Sequence, residues 1–247
     1  GIVNGEDFQI VYSDTPGILK PRYKLQEAMM SFVDTALIDA DLILYVTDVT
    51  EAGPPNNEYV DKIKSSAIPV IIAINKVDLT NQQELDKIVD IWHNAFPLAP
   101  IIPLSAINDF NIDTLLKLIT DKLPESPPYF PKEQLSDKHE RFFASEILRE
   151  KILLNYRKEV PYSVEVEIES FKEEKNIINI RALIHVARES QKGIMIGHKG
   201  SMLKKVGSEA RVEMESFFGK KVFLELYVKV SKEWRDKPQM LKKFGYQ

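Results

Sequence analysis

Hydrophobic and polar positions change period several times along this chain, and each change marks an element. Phe8 to Tyr12 reads as a strand, and Gly1 to Gly5 before it as a strand already under way. From Leu25 the residues Leu25, Met29, Phe32, Ala36 and Leu37 recur at helical spacing, which predicts one buried helix face. The stretches 41–48 and 69–75 are continuous apolar runs of the kind buried on both faces of a parallel sheet. Between and after them come a Gly53-Pro54-Pro55 loop, helices over 57–66 and 81–95, and a short strand over 101–104. An amphipathic helix over 111–123, with Leu115, Leu116 and Ile119 inward, closes the half. Strands alternating with helices predict a parallel α/β sheet, whose ligands gather at the C-terminal ends of the strands.

Pro124, Pro127, Pro128 and Pro131 then predict a stiff linker. After it the pattern is different. A helix over 138–156 is expected, capped by Ser136 or Asp137, with Phe142, Ile147 and Leu154 among its apolar positions. Residues 163–170 set Val164, Val166 and Ile168 against Glu165, Glu167 and Glu169, the alternation of a half-buried strand. A second strand over 177–186, two helices around Gly197-His198-Lys199-Gly200, and a strand over 222–230 complete an α-β-β-α-α-β order. The expected division is a first domain over 1–123, a linker over 124–137 and a second domain over 138–247.

Charge supports that division. Residues 1–131 hold 9 Lys and Arg against 19 Asp and Glu, whereas residues 132–247 hold 24 against 18. The net charge of −4 therefore conceals an acidic half and a basic half, and the basic half is suited to a polyanion. With no cysteine, disulfides and thiolate metal sites are excluded, which fits a reducing cytoplasm. No apolar run reaches the length of a membrane-spanning helix.

Three strand ends carry chemistry in the first half. Asp14-Thr15-Pro16-Gly17 puts a carboxylate where it can hold Mg²⁺ through water, and a glycine amide where it can meet a terminal phosphate. In Asn75-Lys76-Val77-Asp78, the Asp78 carboxylate can accept from guanine N1–H and the exocyclic amine, and adenine leaves it unpaired. The Lys76 stem can lie along the base. At Ser105-Ala106, the Ala106 amide can donate to guanine O6. Each motif alone also suits an ordinary turn or helix entry; all three in this order, each after a hydrophobic strand, resemble a GTPase of the Ras-like P-loop class. Ile18 stands where Ras-type enzymes place a water-orienting glutamine, so slow intrinsic hydrolysis is expected. No Gly-x-x-x-x-Gly-Lys-Ser/Thr occurs in the 247 residues. The class resemblance implies that a strand, the P-loop, its helix and the first switch loop lie upstream of Gly1 in the intact protein.

In the second half, Gly197 and Gly200 let the backbone turn sharply ahead of a helix N-terminus, which presents free amides to an anion. Lys199, Lys204 and Lys205 add positive charge, although the last two also suit plain helix surface. Ile194 and Ile196 either floor a groove for bases or pack in the core. The α-β-β-α-α-β order with Gly-x-x-Gly between its last helices resembles a type II KH domain, in which that turn clamps a nucleic-acid backbone. His198 has no spaced partner for a metal. The Lys242-Lys243 tail with Phe244 and Tyr246 either touches RNA or closes the fold.

A GTPase half joined to a KH half narrows the resemblance. Asp14-Thr15-Pro16-Gly17, Asn75-Lys76-Val77-Asp78, the run from Ala144 to Lys151, Pro161-Tyr162-Ser163-Val164, the stretch Ile196 to Gly200 and the tail from Leu224 to Tyr246 resemble the Era family of bacterial ribosome-assembly GTPases. That resemblance implies GTP and GDP with Mg²⁺ as ligands, bound at Asp14 to Ile18, Asn75 to Asp78, Ser105 and Ala106. It implies binding near the 3′ end of 16S rRNA within the 30S subunit, through Ile194, Ile196 to Gly200, Lys204 and Lys205. It further implies a monomer in the cytoplasm, at times peripheral on the inner membrane. The competing expectation is a KH RNA-binding module whose α/β half no longer binds nucleotide.

Overall fold

The computed structural model describes residues 1–18, 21–55, 57–157 and 160–246. They form two compact units, one of Gly1–Lys20 with Met30–Ser136 and the other of Pro21–Met29 with Asp137–Gln247.

In the first unit, β1 (Ile2–Asn4) pairs antiparallel with β2 (Gln9–Val11). After α1 (Lys24–Asp39) a separate parallel sheet is built from β3 (Ile43–Asp48), β4 (Val70–Asn75) and β5 (Ile101–Pro103), with β4 central. The intervening helices are α2 (Glu58–Ser65), α3 (Gln82–Ala95) and α4 (Ile112–Thr120). Asn57 and Asn81 cap α2 and α3, each side chain accepting from a backbone amide three residues on. The β4 run is fully buried from Ile71 to Ile74, as a central parallel strand requires. β3 departs from the expectation of burial on both faces: it is an edge strand of this sheet, and Val46 is 61% exposed. One face of β4 packs with Trp92, Tyr45 and Phe96, whose rings lie 5.1 to 6.3 Å apart. The other face meets Ile119, Leu115 and Leu116 of α4 together with Ile10 of β2. Residues of the proline-rich stretch run beside β1 and β2: Gln9 Nε2 donates to the Phe130 carbonyl, and the Ile2 amide to that of Leu135.

The apolar stripe of α1 differs from expectation. Phe32 is exposed, and Met30, Val33 and Leu37 form the inner face with Tyr59. Leu25 and Met29 belong to the second unit, where they pack with Trp234 and Leu241. Periodicity merged two stripes with different partners into one.

The second unit runs α5 (Glu140–Asn155), β6 (Glu165–Glu173), β7 (Ile177–Val186), α6 (Glu189–Ile196), α7 (Ser201–Phe218), β8 (Lys221–Val230) and α8 (Pro238–Lys243). β7 is central, antiparallel to β6 and parallel to β8. The helix expected from residue 138 starts at Glu140 after His139, with no side-chain cap. Its buried stripe is Ala144, Ile147, Leu148 and Ile152; Phe142 and Leu154 are exposed. These four meet Ile178, Ile180, Ala182 and Ile184 of β7 and Val206, Ala210 and Met214 of α7 in one core. Leu148 has no exposed surface. Leu148→Ala is therefore expected to destabilise this unit by about 3 kcal/mol, the usual cost of an unfilled leucine site, read as a lower urea midpoint in circular dichroism.

The tail closes the fold. Phe244 packs on Trp234 and on the ring of buried His185, at 5.6 and 4.9 Å. Tyr246 Oη donates to Glu165 Oε2 at 3.1 Å. Glu165, expected on the open face of β6, lies beneath this tail, and burial pushes its carboxyl above the ordinary range.

Candidate nucleotide site and nucleic-acid interface

Parallel pairing of β3, β4 and β5 brings their C-terminal ends together, and two of the three motifs meet there. Asn75 ends β4 and turns its Oδ1 into an acceptor for two amides, Lys76 N at 2.7 Å and Ala106 N at 3.0 Å. The Ala106 amide, expected to meet guanine O6, is thus engaged by Asn75 in this structure. Ser105 is buried and bridged to Phe110 through both its backbone groups. Its hydroxyl donates to Asp78 Oδ1 at 2.5 Å, which fixes the carboxylate plane while Asp78 itself stays exposed. The Val77 amide donates to the Leu104 carbonyl, a further tie between the two loops.

Lys76 takes a left-handed backbone, φ 61° and ψ 33°, which costs a side-chain-bearing residue about 1–2 kcal/mol. Its ammonium donates to Asp48 Oδ2 at 2.5 Å. The Lys76 contact, then hydrogen bonds from the Thr50 hydroxyl and amide, hold the Asp48 carboxyl down at about 2.

Asp14, Thr15 and Gly17 lie exposed in the segment after β2, with Pro16 half-buried. Ile18 is turned to apolar neighbours and packs against the Met30, Val33 and Tyr59 cluster. Among the described residues no group of three or more His, Asp or Glu is placed to hold a metal ion. A divalent cation beside Asp14 would take its other ligands from nucleotide phosphates and water, a set that Mg²⁺ accepts.

In the second unit α6 ends at Ile196, and Gly197 has φ 71° and ψ 178°, a conformation essentially confined to glycine. A Cβ there would lie 2.7 Å from Met202 Cγ. Lys199 is left-handed at φ 49°, and Gly200 at φ 80° precedes the first turn of α7 without a side-chain cap. The Ser201 amide donates to the His198 carbonyl, no side chain caps the first turn of α7, and His198, Lys199, Lys204 and Lys205 are exposed around it. Ile194 is 52% exposed and Ile196 half-buried, so Ile194 is not a core residue. Lys205 stands 3.9 Å from Glu209.

Two residues that set this loop escaped the sequence reading. Buried Tyr156 donates from Oη to the Met195 carbonyl at 2.6 Å, anchoring the end of α6. Gln191 receives the Ala187 and Arg188 amides and donates to Ser163 Oγ, anchoring its start. A tyrosine ending one helix and a glutamine opening another carry no local signal for partners 39 and 28 residues away.

An α/β unit whose strand ends carry Asn75 to Asp78 and Ser105-Ala106, and an α-β-β-α-α-β unit with a Gly-x-x-Gly turn, define a KH-containing GTPase. Family models agree: residues 3–125 match the elongation factor Tu GTP binding domain, and residues 159–235 a KH domain. GTPase Era of Thermoanaerobacter sp. strain X514 is 42% identical over all of this chain and 82% of its own length. That of Geobacter metallireducens is 43% identical over all of this chain and 84% of its own. Among solved structures, a point variant of Aquifex aeolicus Era bound to GDP·AlF₄⁻ superposes with TM-score 0.92 at 38% identity, covering 98% of this chain and 83% of that one. Era in complex with MgGDPNP and nucleotides 1506–1542 of 16S ribosomal RNA superposes with TM-score 0.94 at 39% identity, covering 100% and 85%. The chain belongs to the Era family of GTPases.

Proposed function

We propose that this protein binds and hydrolyses GTP with Mg²⁺, binds small-subunit rRNA near its 3′ end through the Gly197–Gly200 loop, and acts in 30S subunit assembly. The observation that carries the reading is the hydrogen-bonded corner of Asn75, Asp78, Ser105 and Ala106 in one unit, with an uncapped clamp in the other. The relative solved with MgGDPNP and a 16S rRNA segment supports it, because its likeness extends over the whole chain. In this reading residues 1–123 form the GTPase domain, 124–137 the linker and 138–247 the RNA-binding domain. Asp14 holds Mg²⁺ through water and Gly17 meets the terminal phosphate. Asn75 to Asp78, Ser105 and Ala106 hold the guanine, and the ion, when bound, neutralises charge developing on the phosphates. Ile194 and Ile196 floor the groove, and Lys199, Lys204 and Lys205 meet the RNA backbone.

The family resemblance also favours a cytoplasmic monomer with occasional peripheral contact at the inner membrane. Among the described residues no helix is long and apolar enough to cross a membrane. The test is RNA binding to a 16S 3′-end oligonucleotide, measured with GDP and with a non-hydrolysable GTP analogue. Affinity that differs between the two nucleotides supports a coupled switch. RNA binding with no retained nucleotide would favour the KH-only alternative.

Hydrolysis without a partner is expected to be slow, about 10⁻³ s⁻¹ or below, because a half-buried aliphatic side chain at Ile18 cannot orient water. A partner-free single-turnover rate above about 1 s⁻¹ would contradict this.

A further inference from the structure

We infer that Asp48, which lies outside all three motifs, is a positioning residue for guanine recognition: it clamps the Lys76 ammonium so that the lysine stem stands as a fixed wall beside the base. This rests on the nucleotide-site reading above. Strand register supplies the placement, since Asp48 of β3 pairs directly with Asn75 of β4. The ladder continues one step further, with the Val49 amide donating to the Asn75 carbonyl at 3.2 Å. Asp48 is itself immobilised: Oδ1 receives the Thr50 amide at 2.8 Å and the Thr50 hydroxyl at 2.5 Å. That leaves Oδ2 for Lys76 Nζ, at 2.5 Å.

Lys76 is consequently held at both ends. Asn75 Oδ1 takes its backbone amide and Asp48 takes its ammonium. A free lysine stem samples many rotamers, and pressing it against a base would cost that freedom on binding. Fixing both ends removes the cost in advance, and preorganisation of this sort appears mainly as slower ligand departure. The pair is asymmetric in exposure, 50% for the Lys76 side chain and 19% for Asp48. An ordinary surface ion pair would stabilise the fold little and leave nucleotide binding unchanged. The distinction is therefore measurable.

The experiment is the dissociation rate of a fluorescent GDP analogue from the full chain, for wild type, Asp48→Asn, Lys76→Met and the double variant. Asp48→Asn keeps an oxygen for Thr50 but faces the ammonium with an amide, so the local turn survives. Lys76→Met keeps an apolar stem and loses the charge. We expect Asp48→Asn to release the analogue about fivefold faster, the upper range for a partly exposed pair. The double variant should match Lys76→Met within about twofold, because the two residues act as one unit. An unchanged rate in Asp48→Asn overturns the inference, as do independent, multiplying effects of the two substitutions. Wild-type protein that retains no GDP analogue overturns the nucleotide-site reading itself and this inference with it.

Discussion

Asp78→Asn is expected to weaken GTP binding by about a thousandfold or more and to raise affinity for XTP. An ionised carboxylate is acceptor-only, and guanine offers it two donors, N1–H and the exocyclic amine. Ser105, buried and bridged to Phe110 through its backbone, donates from Oγ to Asp78 Oδ1 and sets the plane in which the carboxylate meets the base. Asparagine can still accept from Ser105, so the loop and the fold are expected to hold. Its amide, however, places N–H groups against the guanine amine, donor facing donor. A site built around specific hydrogen bonds rejects a mismatched partner by about 10⁴-fold. Xanthine carries a carbonyl in place of the amine and matches the asparagine amide. Competition of GTP and XTP against one labelled nucleotide reads both changes. GTP affinity within about tenfold of wild type would remove Asp78 from the site.

The parts of this fold that could be read along the chain are those set by local period. β4 was legible because Val70 to Ile74 is uninterruptedly apolar, and its central position leaves no face open. The end of β3 was not: Asp41 to Asp48 has the same apolar character, but its place at a sheet edge is a property of pairing order. Likewise the spacing in α1 and α5 announced amphipathic helices but misplaced their stripes. Met30 and Val33 are buried and Phe32 is not, because the facing Tyr59 comes from another element. Site residues divide in the same way. Asn75, Asp78, Ser105 and the two clamp glycines were visible as motifs. Asp48, Tyr156 and Gln191 act only through partners that tertiary structure delivers. The left-handed backbones of Lys76 and Lys199 were hidden as well, since lysine gives no hint of positive φ.

In the clamp, replacing both His198 and Lys199 with aspartate is expected to lower affinity for single-stranded 16S 3′-end RNA by about a hundredfold. Both side chains are exposed, so no core contact is lost. Aspartate also enters the left-handed region more readily than most residues, which suits the φ of 49° at position 199. An acidic residue beside the first turn of α7 interacts favourably with the helix dipole, so the unfolding midpoint should stay within a few degrees of wild type. What changes is the field over the uncapped amides of α7: one lysine charge is removed and two negative charges are set against a phosphate. At an effective dielectric near 20, contacts of about 4 Å are worth a few kcal/mol, enough for a hundredfold loss. With one cation gone, the dependence of log affinity on log salt should flatten by about 0.7 for a single strand. Substituting Gly197 instead would confound the result, because its Cβ would collide with Met202 and move the loop that Tyr156 holds. The double aspartate variant changes charge while leaving the backbone path intact. Undiminished RNA affinity in that variant would therefore place the RNA somewhere other than the Gly197–Gly200 turn.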